Sequence, residues 1–263
     1  MRVTVLAGGI GGARFLRGVR AAGLGEIVAI VNTGDDITLH GLRVCPDLDS
    51  VMYTLGEAHD GARGWGRRGE SWRVGEELAA YGIGPGWFGL GDLDLATHLV
   101  RTELLGAGYP LSEVTAALGQ RWPLGARLLP MTDQRCETHV IVPAAASESE
   151  GRNSPRGPGA PAAPSLFDAS GDRAASSAPV PPRDPAALAD PDARAARRAI
   201  HFQEWWVRHR AALPASAFVQ VGVADAKPAP GVLEAIATAD LVLLAPSNPV
   251  VSIGTILGVP GIR

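Results

Sequence analysis

The chain opens on an apolar run, Val3 to Ala7, that reads as a short buried strand. Gly8-Gly9-Ile10-Gly11-Gly12 follows, and the stretch Ala13 to Ala22 then places Phe15, Leu16 and Val19 at helical spacing. Ile27 to Val31 is a second buried run, ending in Asn32-Thr33-Gly34-Asp35-Asp36. Strand, glycine turn, helix and strand within about 30 residues make a βαβ unit, which implies a parallel sheet.

Further helices are expected over Leu48 to Gly56, over Ala96 to Leu105 with a cap at or near Asp94, and over Leu111 to Gln120 with Ser112 as N-cap. Arg127 to Pro130 and Thr138 to Val142 read as strands flanking the loop Met131 to Glu137. Ala217 to Val221 and Leu241 to Leu244 read as two more, with a helix from Pro230 to Ala237 between them. The expected fold is α/β and Rossmann-like, a mostly parallel sheet flanked by helices. Between these patterns, Ala144 to about Asp192 is rich in Ala, Pro, Ser, Gly and Arg and almost devoid of apolar periodicity. Such a segment buries too little surface to offset its ordering entropy, so it is read as a disordered insertion. The expected organisation is a nucleotide-binding α/β core over 1–143, the insertion over 144–192, and 193–263 continuing the same domain. The chain stops at Pro260-Gly261-Ile262-Arg263, where a doubly wound domain would normally run on, and a truncated C-terminus is expected.

Composition adds exclusions. With 263 residues, 46% of them apolar and 19% charged, the chain can fill a sizeable core. A net charge of -3 gives no general attraction to nucleic acid or to an anionic membrane. No apolar run approaches the roughly 20 residues that span a bilayer, and the N-terminus enters a strand directly, without a signal peptide. Cys45 and Cys136 lack paired metal-ligand spacing and read as buried thiols in a reducing cytoplasm.

The glycine turn lets backbone N–H groups approach phosphate, with a helix N-terminus behind them. It lacks the Gly-x-x-x-x-Gly-Lys-Ser/Thr signature of a P-loop. It is not a dinucleotide fingerprint either: counting from Gly9, Arg14 stands at the third glycine position, and Asn32 ends the second strand where an NAD site places an acid. A helix terminus supplies only about 0.3–1 kcal/mol per charge, so a diphosphate needs cations as well. Arg14 is one candidate; a hard divalent ion on Asp35, Asp36, Asp47 and Asp49 is the other, although these acids also suit turns and caps. Asp92, Asp94 and His98 cluster at the start of a helix, and His98 is either a general base, a substrate contact or a core residue. Met131-Thr132-Asp133 and Pro246-Ser247-Asn248-Pro249 follow strands, where ligand sites of open sheets gather, and the latter also suits an ordinary turn. The aromatic run His201 to Trp206 either covers a flat ring or packs a core.

Taken in order, these pieces resemble the phospholactate/phosphoenolpyruvate transferase family of deazaflavin coenzyme F-420 biosynthesis. The matching motifs are Ala7 to Ala13, Asn32 to Asp36, Cys45-Pro46-Asp47-Leu48-Asp49-Ser50-Val51, Leu90-Gly91-Asp92 with Ala96-Thr97-His98, Leu129 to Asp133, His201-Phe202-Gln203 and Pro246 to Pro249. A cytoplasmic enzyme is the default expectation from composition, and the resemblance implies a Rossmann-like, homodimeric transferase that uses Mg²⁺ and a guanosine diphosphate-linked donor. It implies that the ribityl hydroxyl of the deazaflavin Fo takes a phosphoenolpyruvyl or 2-phospho-L-lactyl group, with release of GMP. On the same grounds Gly8, Gly9, Gly11, Gly12, Arg14 and Asn32, with Ser247 and Asn248, are expected at the nucleotide. Asp49 is expected as the catalytic acid near Fo and the metal, and Thr97, His98 and Met131 as the Fo side. Leu93 departs from the basic residue expected in that motif. The rival from another class is a non-catalytic nucleotide-sugar-binding regulator, as in the related gluconeogenesis-factor family. That family follows the paired acids with a glycine- and serine-rich run, whereas Asp35-Asp36 is followed here by Ile37-Thr38-Leu39-His40.

Overall fold

A computed structural model describes residues 1–144 and 197–263, so the expected insertion lies, from residue 145 on, outside the described residues. In chain order the first elements are β1 (Arg2–Ala7), α1 (Gly9–Ala21), β2 (Glu26–Val31), β3 (Ile37–Leu39), β4 (Leu42–Val44), α2 (Pro46–Leu55) and α3 (Arg73–Ala80). Next come α4 (Asp92–Gly106), α5 (Leu111–Gly119), β5 (Arg127–Pro130), β6 (Glu137–Pro143) and β7 (Arg197–His201). The last are β8 (Ala217–Val221), α6 (Val232–Ala237), β9 (Leu241–Leu244) and α7 (Gly254–Gly258). Packing divides the chain into two compact units, one of residues 1–72, 90–138 and 220–263, the other of 73–89 and 139–219.

The first unit is built on a four-stranded sheet in the order β5-β2-β1-β9, with every neighbouring pair parallel. The expected α/β, Rossmann-like fold is therefore the observed one. Helices pack on both faces of the sheet, so its inner strands are mostly apolar and alternate residues serve different cores. Val3, Val5 and Ala7 join Leu16 and Val19 of α1 and Leu48, Val51 and Met52 of α2. Leu6, Ile30 and Leu129 point the other way, to Val232 and Ala235 of α6 and Ile256 of α7. Thr4 is buried among them and satisfied, its hydroxyl donating to the Ala235 carbonyl at 2.8 Å.

Local expectations fail in instructive places. The first helix starts at Gly9 rather than Ala13, so the glycine run is its opening turn and only Gly8 stays extended. Ser112 does not cap α5; Pro110 stands at the cap position, and Asp133 accepts from both the Ser112 N–H (2.7 Å) and its hydroxyl (3.0 Å). Likewise α4 begins at Asp92, and its free N–H groups at Leu93 and Asp94 are taken by the Glu70 carboxylate at 2.7 and 2.9 Å. β3 and β4 form an antiparallel hairpin through His40 and Gly41, both at positive φ (51° and 76°), a primed turn that twists with its strands.

In the second unit β6 and β7 pair antiparallel, within a sheet of order β7-β6-β8. The aromatic run packs on itself there: Phe202 stacks on Trp206 with centroids 6.1 Å apart, and Trp205 Nε1–H donates to the Leu213 carbonyl at 2.8 Å.

Candidate active site

The site begins at the mouth of α1. Gly9 opens the helix at a φ of 61°, which only glycine adopts without strain. At Gly11 an added Cβ would stand 2.5 Å from the Pro246 carbonyl oxygen, so the loop after β9 is pressed onto the first turn. Ser247 fastens that contact: its Oγ accepts from Gly8 N–H at 3.0 Å and donates to Gly8 C=O at 2.8 Å. Asn248 spends its side-chain oxygen on the Val250 and Val251 N–H groups, at 2.9 and 3.1 Å, starting the π turn Pro249–Ile253. Ser247 and Asn248 thus shape the glycine turn from within the protein.

Asp47 and Asp49 stand in the first turn of α2, just after Pro46, where the helix dipole favours acids. Asp47 leans onto α1: Gly9 N–H donates to its carboxylate, and Asn32 Nδ2 donates to its Oδ2 at 2.9 Å. Asn32 is fully buried, and its Oδ1 accepts from Gly34 N–H at 3.0 Å. Its amide therefore braces the acid-bearing turn. Burial pushes Asp47 up to about 7, with Asp36 adding to the rise and Asn32 and Gly9 opposing it. Burial also raises Asp35 well above the carboxylate range, reinforced by the charges of Asp47 and Asp36, and its Oδ1 has no hydrogen-bond partner among the described residues. Asp36 is pushed to about 6 by burial, against the pull of Arg43, which pairs with it at 2.9 Å. Among the described residues no cationic side chain pairs with Asp35 or Asp47, and no three His, Cys, Asp or Glu groups converge as a ready metal cage.

Asp49 faces a different neighbour. Arg101 is 1% exposed, and its Nη2 and Nη1 reach Asp49 Oδ1 and Oδ2, the second at 3.1 Å. Nη1 also donates to His98 Nδ1 at 3.0 Å. A guanidinium only donates, so His98 Nδ1 accepts and its proton sits on Nε2, 3.4 Å from Asp94 Oδ2. Asp94 Oδ1 accepts from the Tyr53 hydroxyl at 2.7 Å. Burial, with the charges of Asp49 and Asp94, raises Tyr53 well above its usual value and keeps that phenol protonated.

The structure thus brings Asp49, His98 and Thr97, which lies against Tyr53, into one buried network. Met131 is elsewhere, fully buried in the core with Leu6, Ile30 and Leu129. Arg14 is exposed on α1. Leu93 keeps its side chain 38% exposed, while its carbonyl accepts from the buried Arg67 at 2.8 Å. Arg101, Arg43 and Tyr53 escaped the sequence reading. Only Arg101 left a trace, three residues after His98 and so on the same helix face.

The family model described as 2-phospho-L-lactate transferase CofD matches residues 3–263. A phosphoenolpyruvate transferase of Streptomyces griseus is 54% identical over 264 residues, covering 100% of this chain and 68% of its own length. One from Nocardia farcinica is 53% identical, covering 100% and 65%, so the chain spans about two thirds of the length of these relatives. Among solved structures, protein BH3568 from Bacillus halodurans superposes with a TM-score of 0.54 at 16% identity, over 99% of this chain and 63% of that one, a likeness of fold alone. The glycine turn, the paired acids and the Asp49 network therefore sit in a chain that belongs to the 2-phospho-L-lactate transferase (CofD) family.

Proposed function

We propose that the chain carries a group transfer of its family's kind. The ribityl hydroxyl of Fo attacks the phosphorus that bears the enolpyruvyl or lactyl group of a guanosine diphosphate-linked donor. The bond from that phosphorus to the bridging oxygen breaks, GMP leaves with the electron pair, and the phospho-acid ester of Fo remains. The names of the relatives at 53–54% identity support the enolpyruvyl donor.

The observation that carries the reading is the pair of buried acids, Asp35 and Asp47, beside the mouth of α1 and without a cationic partner among the described residues. Once ionised, carboxylates placed there repel a diphosphate, and a helix terminus worth about 0.3–1 kcal/mol per charge does not reverse that. A divalent cation does, and Mg²⁺ is typically held by one or two carboxylates together with substrate phosphates. Asp35 and Asp47 are the residues that would hold it; Asp49 is less suited, because a cation there would face Arg101. Bound Mg²⁺ supplies charge neutralisation at the transferred phosphoryl group.

The chain's own groups do the rest. Arg101 fixes the Asp49 carboxylate, whose remaining lone pairs accept the proton of the attacking hydroxyl. Gly8 to Gly12, braced by Asn32, Ser247 and Asn248, present the helix end to the donor, and exposed Arg14 adds a cation. The working unit is a cytoplasmic homodimer. Incubation with Fo, the guanylylated donor and Mg²⁺ tests the reading through release of GMP and formation of the Fo phosphoester. If neither product forms, the regulator reading takes its place.

A further inference from the structure

His98 is 1% exposed and stands between two acids of the first unit. Asp94 Oδ2 lies 3.4 Å from its Nε2, and Asp49 Oδ2 lies 3.7 Å from its Nδ1. A neutral imidazole carries one ring proton, and each acid by itself would draw that proton to its own side. Arg101 feels the choice, because its Nη1 also meets Nδ1, at 3.0 Å. With the proton on Nε2, Nδ1 accepts from Arg101. With the proton on Nδ1, two N–H groups would oppose each other at that distance, and the guanidinium would have to move. Nη1 is the same nitrogen that donates to Asp49 Oδ2 at 3.1 Å and to the Arg43 carbonyl at 3.3 Å. The tautomer of His98 therefore decides whether Arg101 keeps its two-pronged hold on Asp49.

Asp94 tips the balance toward Nε2. An ionised carboxylate only accepts, and Asp94 stays ionised: against its burial, His98 and Tyr53 hold it below its usual value. Tyr53 also aims it, since the phenol donates to Oδ1 at 2.7 Å and leaves Oδ2 to the imidazole. That phenol is itself fixed, because Tyr53 is 2% exposed and its ring meets Trp122 edge-on with centroids 5.7 Å apart. The backbone of Asp94 is anchored as well, its N–H donating to Glu70 at 2.9 Å. Resting on the transferase reading for the role of Asp49, we infer that Asp94, aimed by Tyr53, is a positioning residue of the reaction. It holds the His98 proton on Nε2 and keeps Nδ1 open to Arg101. Through Arg101 it keeps the Asp49 carboxylate steady where the attacking hydroxyl delivers its proton.

Asp94→Asn tests this, because an amide offers one acceptor and the Tyr53 proton claims it. The amide NH₂ then faces Nε2, and the ring proton moves to Nδ1, against Arg101. Asp94→Asn should lower kcat roughly ten- to a hundred-fold while KM for Fo and for the donor stays within about two-fold. Adding Tyr53→Phe removes the competing proton, so the amide oxygen turns to Nε2–H. The double variant should therefore recover most of kcat, a rescue that a merely structural loss would not give. Nitrogen–proton correlation spectra of histidine-labelled protein read the tautomer without turnover, the His98 signal being the one lost in His98→Gln. They should show Nε2–H in wild type and in the double variant, and Nδ1–H in Asp94→Asn. Wild-type kcat in Asp94→Asn, or a double variant no better than Asp94→Asn, overturns the positioning role and leaves the transferase reading standing. So does an Nε2–H signal that persists in Asp94→Asn. A wild-type protein that forms no Fo phosphoester overturns the transferase reading and the positioning role with it, whichever tautomer the spectra show.

Discussion

Arg101 grips both oxygens of Asp49 inside the protein, and the same guanidinium donates to His98 from one turn along α4. Removing one member of such a pair leaves a buried charge uncompensated, which typically costs about 3–5 kcal/mol. Arg101→Met and Asp49→Asn should therefore each lower stability to urea by that order. The double variant should recover a good part of the loss, because neither charge then remains alone. Turnover separates from stability: every variant lacking Asp49 should lose orders of magnitude in kcat, the double variant included, while GDP affinity changes little. A double variant as active as wild type would remove Asp49 from the chemistry.

Raised carboxylates make stability depend on pH with a definite sign. Asp36 at about 6 and Asp47 at about 7 hold protons that the unfolded chain releases near pH 4. Their contribution is fully present below about pH 4 and is lost as pH rises toward about 7, an effect on the order of a few kcal/mol in total. Asp94 shifts the other way: His98 and Tyr53 overcome its burial and lower it, so it acts below that window. Melting temperature in EDTA should fall between about pH 5 and about pH 7.5. Added Mg²⁺ should recover it at the upper end and do little at the lower, where protons compete for the same oxygens. Asp47→Asn should flatten the fall. A melting temperature that climbs across this window in EDTA would contradict the assignment.

What the sequence shows and what it hides follow from the range of the forces involved. Arg127–Pro130, Ala217–Val221 and Leu241–Leu244 are strands over the residues expected, since each is a short, mostly apolar run set off by turn residues. The start of α1 was hidden, because glycine is a poor helix former and Gly9–Gly12 are helical through contacts with the distant Pro246 loop. Caps were hidden too. Ser112 and Asp94 looked like local caps, whereas the acids that hold α5 and α4 are Asp133, 21 residues from Ser112, and Glu70, 24 residues from Asp94. The β3–β4 hairpin has strands of three residues, too short for a period to register. Asp49 was legible as an acid in a motif, but its partner lies 52 residues away, beyond any spacing rule.

Ser247 offers a test of the turn itself. Its hydroxyl satisfies both the N–H and the C=O of Gly8, and Ser247→Ala strands the two groups together. Loss of hydrogen bonds to partly buried groups typically costs about 1–3 kcal/mol. Stability should fall by that order and the Kd for GDP should rise. Ser247→Thr, which keeps the hydroxyl, should do less harm on both measurements. A Ser247→Ala protein with wild-type stability and GDP affinity would show that Ser247 does not fasten the turn.

Two glycines of the same helix separate the demands of the site from those of helix formation. At Gly18 a Cβ meets nothing within 4 Å, and the position is exposed. Gly18→Ala should raise stability by about 0.5–1 kcal/mol, since alanine is the better helix former and narrows the unfolded ensemble. At Gly11 the same methyl would stand 2.5 Å from the Pro246 carbonyl oxygen, a backbone atom that moves only with its loop. Overpacking of this kind typically costs about 1–3 kcal/mol. Displacing Pro246 also drags Ser247 from Gly8, so Gly11→Ala should weaken GDP binding while Gly18→Ala leaves it unchanged. Thermal melts with and without GDP distinguish the two. If Gly11→Ala stabilised the protein as Gly18→Ala does, the glycines of the opening turn would be there for flexibility alone and not for the close approach of the Pro246 loop.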